Sequence, residues 1–556
     1  MATTIIKRAD KTEELTWEEM DQNLENLRTA IDTHTADDAD PHPQYEKRGV
    51  TNLIGTPGGP GFGVGIAPSG ALFDGMMWLP GSTDPISPNY GNYQYRDGSI
   101  MCWVPKFYYK IGTGTNGLNV NVVGVKGVKD FATPAEAAAA GYALHRAFID
   151  GGEIKDGFFI DKYMASKNAW GAGFIASSIQ GGLPISTHGA HNPIAELTAC
   201  DSNNYYQALN AAKARDGVDG AINTESRFFC ASRFQWAALA LLSLAHGQAA
   251  TSTTYCAWYN PSANFPKGCN NNALGDVNDA EVAYVSDGYS ASAKTGSGTP
   301  LAKTTHNGQA CGVADVNGLM YEIQTGITCA ANSKSITAIT KANPAAVTCA
   351  GHGLSTGDPV QIAGVGGMTE VNDRVFTATV IDAATFSLDG VDSLSFAAYT
   401  SGGTATVGTF YAAQQATRMR DFTSGNSLAT DHWGATGCAA MMEPFAPQLR
   451  TDYPNNYFLQ RWGNAAQAVL DPATSGDGWT LTGLGLPAAG AALSQGGTTL
   501  FGNDYHYQFI RNELCLIASL TWNNGSAAGV WGLSLNSYRA NSYYFVGFRS
   551  ACYPGA

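Results

Sequence analysis

A chain of 556 residues exceeds what one hydrophobic core usually supports, about 250–300 residues, so roughly two to four folded units are expected. Its 32 Lys+Arg against 46 Asp+Glu give a net charge of -14, a field that repels phosphate backbones and excludes nucleic acid as a natural partner. Charged residues are only 14% while aromatics reach 11%, which excludes a highly charged disordered chain and leaves aromatic area for a binding surface.

The N-terminus lacks the apolar run and small-residue cleavage site of a secretory signal. The first fifty residues hold 12 acidic and 6 basic side chains, much of the net charge. Within them Trp17, Met20, Leu24, Leu27 and Ile31 recur at alternating spacings of three and four, a heptad seam. Thr16 stands at the N-cap position with Glu19 three residues on, a capping box. A coiled-coil helix is therefore predicted; about two heptads are marginal alone, so it needs partner helices, the alternative being one amphipathic helix lying on its own domain. Residues 34–45 follow, where prolines and aspartates favour an extended connector. The string Asp40-Pro-His-Pro-Gln-Tyr45, downstream of Leu15-Thr-Trp-Glu-Glu-Met-Asp-Gln-Asn-Leu24, resembles the N-terminal attachment segment of tailed-phage tail fibres, which are usually homotrimers. The resemblance implies a homotrimer joined to tail or baseplate proteins through residues 1–50, made in the host cytoplasm and carried at the fibre tip of the virion.

Residues 51–63 are Gly-rich and read as a flexible neck. Beyond them, short strand patterns such as 99–104, 106–111 and 157–161 mix with helices expected at 134–145, 203–214 and 234–246. The last is the most apolar stretch, shorter than the ~18 residues of a membrane span, and reads as a buried core helix. The class expected is α+β, with no membrane insertion. Eleven cysteines, odd in number and sparse, read mostly as buried free thiols. Between 333 and 407 the texture changes to short β-branched runs broken by Gly turns, a small all-β module inserted into a larger domain made of 64–332 and 408–556.

Four segments of the larger domain occur in a telling order: Gly157-Phe-Phe-Ile-Asp-Lys-Tyr163, Ser232-Arg-Phe-Gln-Trp-Ala-Ala238, Asp315-Val-Asn-Gly-Leu-Met-Tyr-Glu322 and Gly547-Phe-Arg549. Together they resemble the formylglycine-generating-enzyme branch of the C-type-lectin fold. The family's oxidases carry two copper-binding cysteines before the final Gly-Phe-Arg, and no Cys stands between Leu516 and Arg549; the His set of its iron enzymes has no counterpart either. The chain is therefore expected not to be an enzyme. Asp276, Asn278 and Asp279, followed by Glu281, are hard-oxygen types at calcium-loop spacing, and Glu322 lies in the segment that the family associates with calcium, with Leu319 in place of its Asn. A structural calcium is the one cofactor considered.

In the last forty residues, apolar framework residues Trp522, Val530, Trp531, Leu533, Leu535 and Val546 alternate with a set expected to face outward: Thr521, Ala527, Gly532, Ser534, Asn536, Ser537, Tyr538, Tyr543, Tyr544 and Phe545. Tyr, Ser, Asn and Gly are the chemistry of antibody paratopes. Residues 515–556 resemble the variable region of proteins diversified by retroelements, such as phage major tropism determinants. Ser542-Tyr-Tyr-Phe-Val-Gly-Phe-Arg549 is similar to such a template after adenine editing, with Trp522, Trp531 and Arg549 in the fixed scaffold. The function implied is attachment to a bacterial surface receptor, protein or glycan, through a diversified lectin-like surface. A tail-associated enzyme trimming surface polysaccharide, or a purely structural fibre component, are the alternatives.

Overall fold

The computed structural model describes residues 72–112, 122–127, 131–260, 272–423, 440–447, 460–462, 483–487 and 501–555, with isolated positions between them. Strands dominate these residues, and the three α-helices among them are Pro134–Ala139, Gln207–Lys213 and Arg233–Ala249. This corrects the expected α+β class led by a coiled-coil helix: the protein is mostly β. No long N-terminal helix is seen among the described residues, which at that end are Asn23 and an exposed Leu24, both helical. Trp17, Met20, Leu27 and Ile31 of the trimerisation seam lie outside the described residues, as does the 34–45 connector.

The helices are shorter than their patterns for local reasons. Thr133 caps as expected, its Oγ1 accepting from the Glu136 N–H at 3.2 Å, and Pro134 occupies the first turn. Gly141 then takes φ +77°, a left-handed stop, and Ala143–Leu144 leaves as a strand paired with Tyr108 and Tyr109. Arg233–Ala249 keeps its length because Ser232 and Gln235 close a capping box and the helix is buried on all sides. No helix among the described residues is long and apolar enough to cross a membrane.

Two six-stranded sheets frame this helix. One runs in the order Met76–Trp78, Asn92–Tyr95, Ile100–Pro105, Gly157–Asp161, Ser550–Cys552, Phe228–Cys230. The other runs Gln460–Arg461, Tyr505–Gln508, Leu533–Tyr538, Leu514–Ala518, Tyr321–Gln324, Val546–Gly547. A single core joins both to the helix: Trp236 Nε1 donates to Val530 O at 3.0 Å, and Gln235 Nε2 to the Tyr553 hydroxyl at 2.6 Å. The nine described cysteines are all buried and free, and burial pushes thiols such as Cys102 and Cys515 up to about 12.

Ile327–Ser335 and Ser401–Ala413 pair antiparallel from Ile327 with Ala412 to Ser335 with Thr404, so both ends of the 333–407 stretch lie side by side. Beyond that ribbon, Ala345–Thr348, Pro359–Gly366, Arg374–Asp382 and Thr385–Leu388 enclose a separate core around Val347, Ile362, Phe376 and Phe386. Ile510 N–H donates to Gln361 Oε1 at 2.7 Å and ties the module to the main body.

The chain end is locked by buried charge. Arg549 grips both carboxylate oxygens of Glu322 and donates to the carbonyls of Asp161, Lys162 and Ala314. Asp161 in turn accepts from Arg215 Nη1 at 2.6 Å and from Ser550 N–H at 2.9 Å. Asp315 sits beside this network at φ +64°, accepting from Gly296 N–H at 2.7 Å through one carboxylate oxygen. Burial pushes its carboxyl up to about 7, against that hydrogen bond and the charge of Arg549. The folded value lies above the ~3.9 of an unfolded chain, so the native state holds an extra proton between about pH 4 and 7 and stability falls as pH rises through that window. Asp315→Asn is expected to flatten this slope, on the order of 2–4 kcal/mol, in urea midpoints taken at pH 4.5 and 7.5. An unchanged slope in the variant contradicts the assignment.

Candidate functional site

The second sheet carries a groove of about 330 Å³ lined by Tyr321, Arg511, Ile517, Thr521, Asn523, Asn524, Ser534, Asn536, Ser537, Asn541, Tyr543 and Phe545. Its floor is the Leu533–Tyr538 strand, where Leu533 and Leu535 enter the core and Ser534 and Asn536 face the groove. Strict alternation would send Ser537 inward. The register against Leu514–Ala518 shifts, with Ser534 opposite Ile517 but Ser537 opposite Cys515, and this bulge brings Asn536 and Ser537 to the same side. The floor strand's neighbour ends at Ser519 and Leu520, both at positive φ of 74° and 63°, which turn the chain into the wall formed by Thr521, Asn523 and Asn524.

Residues 541–546 form the other wall, and their backbone is held from outside. Thr187 Oγ1 donates to Tyr543 O and accepts from Tyr543 N–H, both at 3.1 Å, while Thr187 N–H donates to Val546 O at 2.9 Å. Tyr321 N–H donates to Phe545 O at 2.9 Å. His191 reaches Tyr544 O through Nδ1 and Asp287 Oδ2 through Nε2, each at 2.6 Å. Burial pushes the Asp287 carboxyl up, but hydrogen bonds from His191 and Tyr289 N–H outweigh it and the net shift is downward. Of the side chains, Ser542 Oγ donates to Thr187 O at 2.6 Å, and the three aromatic ones meet other rings. Tyr543 and Phe545 stack at 5.0 Å and 12° over the groove, while Tyr544 turns to the opposite side among His188, Tyr289 and Trp522. Tyr543 is 41% exposed and Tyr544 37%.

Of the residues expected to face outward, the groove gathers Thr521, Ser534, Asn536, Ser537, Tyr543 and Phe545. Tyr538 is exposed with its ring 5.5 Å from the Arg511 guanidinium, and Tyr544 is exposed outside the groove. Thr521, Ser534 and Ser537 line the groove but are buried, and Ala527 and Gly532 depart further from expectation. Ala527 is buried in the main core, and a Cβ on Gly532 would stand 2.4 Å from Leu520 Cδ1 and 2.9 Å from Gly529 O. Trp522, Trp531 and Arg549 are buried. Sequence reasoning missed Tyr321, Arg511, Ile517, Asn523, Asn524 and Asn541 as lining residues. One signal was present: Arg511 is the only Lys or Arg between Arg461 and Arg539.

The calcium candidates are not assembled. Asp279 and Glu281 both accept from Lys303 Nζ, at 2.5 and 2.8 Å, and Asp276 Oδ1 accepts from Asn278 N–H at 2.7 Å. Glu322 is committed to Arg549 far along the chain. Among the described residues no group of three or more His, Cys, Asp or Glu could hold a metal ion.

Among known families, residues 342–407 match the E1_FCCH model, the ubiquitin-activating enzyme E1 FCCH domain. The match falls within the inserted β module and includes none of the groove residues. No curated protein matches the chain.

The crowding at Gly532 separates frame from surface. Gly532→Val is expected to destabilise by about 1–3 kcal/mol through overpacking, whereas Ser534→Ala shifts stability by less than about 1 kcal/mol. Denaturant melts of the two variants check this; equal effects would place Gly532 on the open surface.

Proposed function

We propose that this chain is a receptor-binding protein of a tailed-phage fibre, and that the groove with its 541–546 wall is the surface that meets the host. The observation that carries this reading is the division of labour in that wall: Thr187, Tyr321 and His191 hold main-chain atoms, while neighbouring Tyr543 and Tyr544 present exposed rings. A surface built this way can change side chains without changing backbone, as a diversified binding region requires. Rigid aromatic rings beside Asn and Ser groups offer large contact area at low entropic cost together with adaptable hydrogen bonding.

In this reading the partners are a bacterial cell-surface receptor at the groove and tail or baseplate proteins at the N-terminal segment. The place of action is the fibre tip of the virion. Several copies per particle would let weak single contacts add up, since linked sites can gain ~10²–10⁴ in avidity. Binding is favoured over polysaccharide cleavage because no Asp or Glu is among the groove's lining residues, whereas glycoside hydrolysis uses a carboxylate pair.

Replacing Tyr543, Tyr544 and Phe545 together by Ala is expected to lower adsorption to host cells at least tenfold while leaving the melting temperature within a few degrees. Cell-binding assays with the purified chain read this directly, and undiminished adsorption by the folded triple variant sinks the site.

A further inference from the structure

The groove's chemistry narrows what it can hold. Its lining combines four Asn side chains and five hydroxyl-bearing ones, two of them Tyr, with a single aliphatic residue, Ile517. Among the described residues, two of its polar atoms, Thr521 Oγ1 and Asn536 Oδ1, are buried with no hydrogen-bond partner. A protein receptor is met by a broad face of ~800 Å² per side with an apolar centre; a concavity of about 330 Å³ rich in amides and hydroxyls suits one or two rings bearing many hydroxyls. The Tyr543–Phe545 stack supplies a flat apolar wall against which the C–H face of such a ring can lie.

Arg511 adds a sign. It is half-buried, it lines the groove, and among the described residues it has no carboxylate within ion-pair distance. Among the described residues its guanidinium lies 5.8 and 5.5 Å from the rings of Phe509 and Tyr538, contacts that use no N–H donor in a hydrogen bond. Other cations of the molecule are engaged by hydrogen bonds: Arg215, Arg549 and Lys303 face carboxylates, while Arg146, Arg233 and Lys162 donate to main-chain carbonyls. In a chain of net charge -14, an unpaired cation facing a carboxylate-free groove is placed to read an anion at short range rather than to steer one from afar. A guanidinium matches a carboxylate with two parallel N–H donors.

Resting on the attachment reading above, we infer that the groove takes an acidic saccharide, with the sugar carboxylate on Arg511 and the ring against Tyr543 and Phe545. The probe is an array carrying uronate and sialate oligosaccharides beside the same sugars with each carboxylate reduced to an alcohol. The full chain is expected to be retained on acidic members at least tenfold more than on their reduced partners. Arg511→Gln should erase that difference without moving the melting temperature, and Arg511→Lys should restore part of it. Retention on no acidic member, or equal retention on acidic and reduced partners, overturns the inference. So does cell adsorption that protease abolishes and periodate leaves intact, in which case the attachment reading stands and the ligand is a protein. Failure of the attachment reading is seen separately, as a wild-type chain that adsorbs to no cells at all.

Discussion

The guanidinium of Arg549 is fully buried and holds three stretches of chain at one point, while the residue's main chain holds a fourth. Its bidentate grip on Glu322 fixes Tyr321–Gln324, its bonds to the carbonyls of Asp161 and Lys162 fix the end of Gly157–Asp161, and its bond to Ala314 fixes the turn before the second sheet. Its own carbonyl accepts from Ala231 N–H at 2.9 Å, next to the start of the buried helix. Removing one partner of such a pair typically costs about 3–5 kcal/mol, while replacing both with apolar groups can be neutral, so what the pair supplies above all is a fixed register. Because Val546–Gly547 pairs with Tyr321 and Glu322 just ahead of Arg549, the position of the 541–546 wall follows from this one contact.

A hierarchy follows. Buried charge sets where the last strands lie, the strands set where the wall begins, and main-chain hydrogen bonds from Thr187, Tyr321 and His191 set the path of the wall itself. The exposed side chains of Tyr543 and Tyr544 come last, whereas Phe545 packs against the core and Ser542 Oγ donates to Thr187 O. The groove is thus stiff in backbone and permissive in surface chemistry, which is what recognition by rigid aromatic groups exploits. Its low carboxylate content and single guanidinium give it a sign opposite to that of the chain as a whole.

Parts of this arrangement were legible in the sequence because they depend on local periodicity. The alternation of Leu533 and Leu535 with Ser534 and Asn536 is a period of two that any half-buried strand shows, and the apolar run 234–246 announced the buried helix. The turn texture of 333–407 likewise marked off a unit with its own core. The helix patterns at 134–145 and 203–214 misled because propensity does not reveal where a left-handed Gly, as at 141, ends a turn. Gly532 and Ala527 were placed on the surface by their alternation with apolar framework residues, and only the approach of Leu520 and Gly529 shows that there is no room at Gly532 for a side chain. Tyr321 and Arg511 were missed for a different reason: they reach the groove through strand pairing and a turn outside the window being read, and only the isolation of Arg511, the one Lys or Arg between Arg461 and Arg539, gave a hint.

The central claim is that the tip side chains can change freely because the backbone beneath them is held by other groups. The most direct measurement is folding across a library of the full chain randomised together at positions 543, 544 and 545, scored by soluble yield and protease resistance. The account predicts that most members fold about as well as the parent. A library in which most members fail to fold would contradict it, since the three side chains would then be part of the frame.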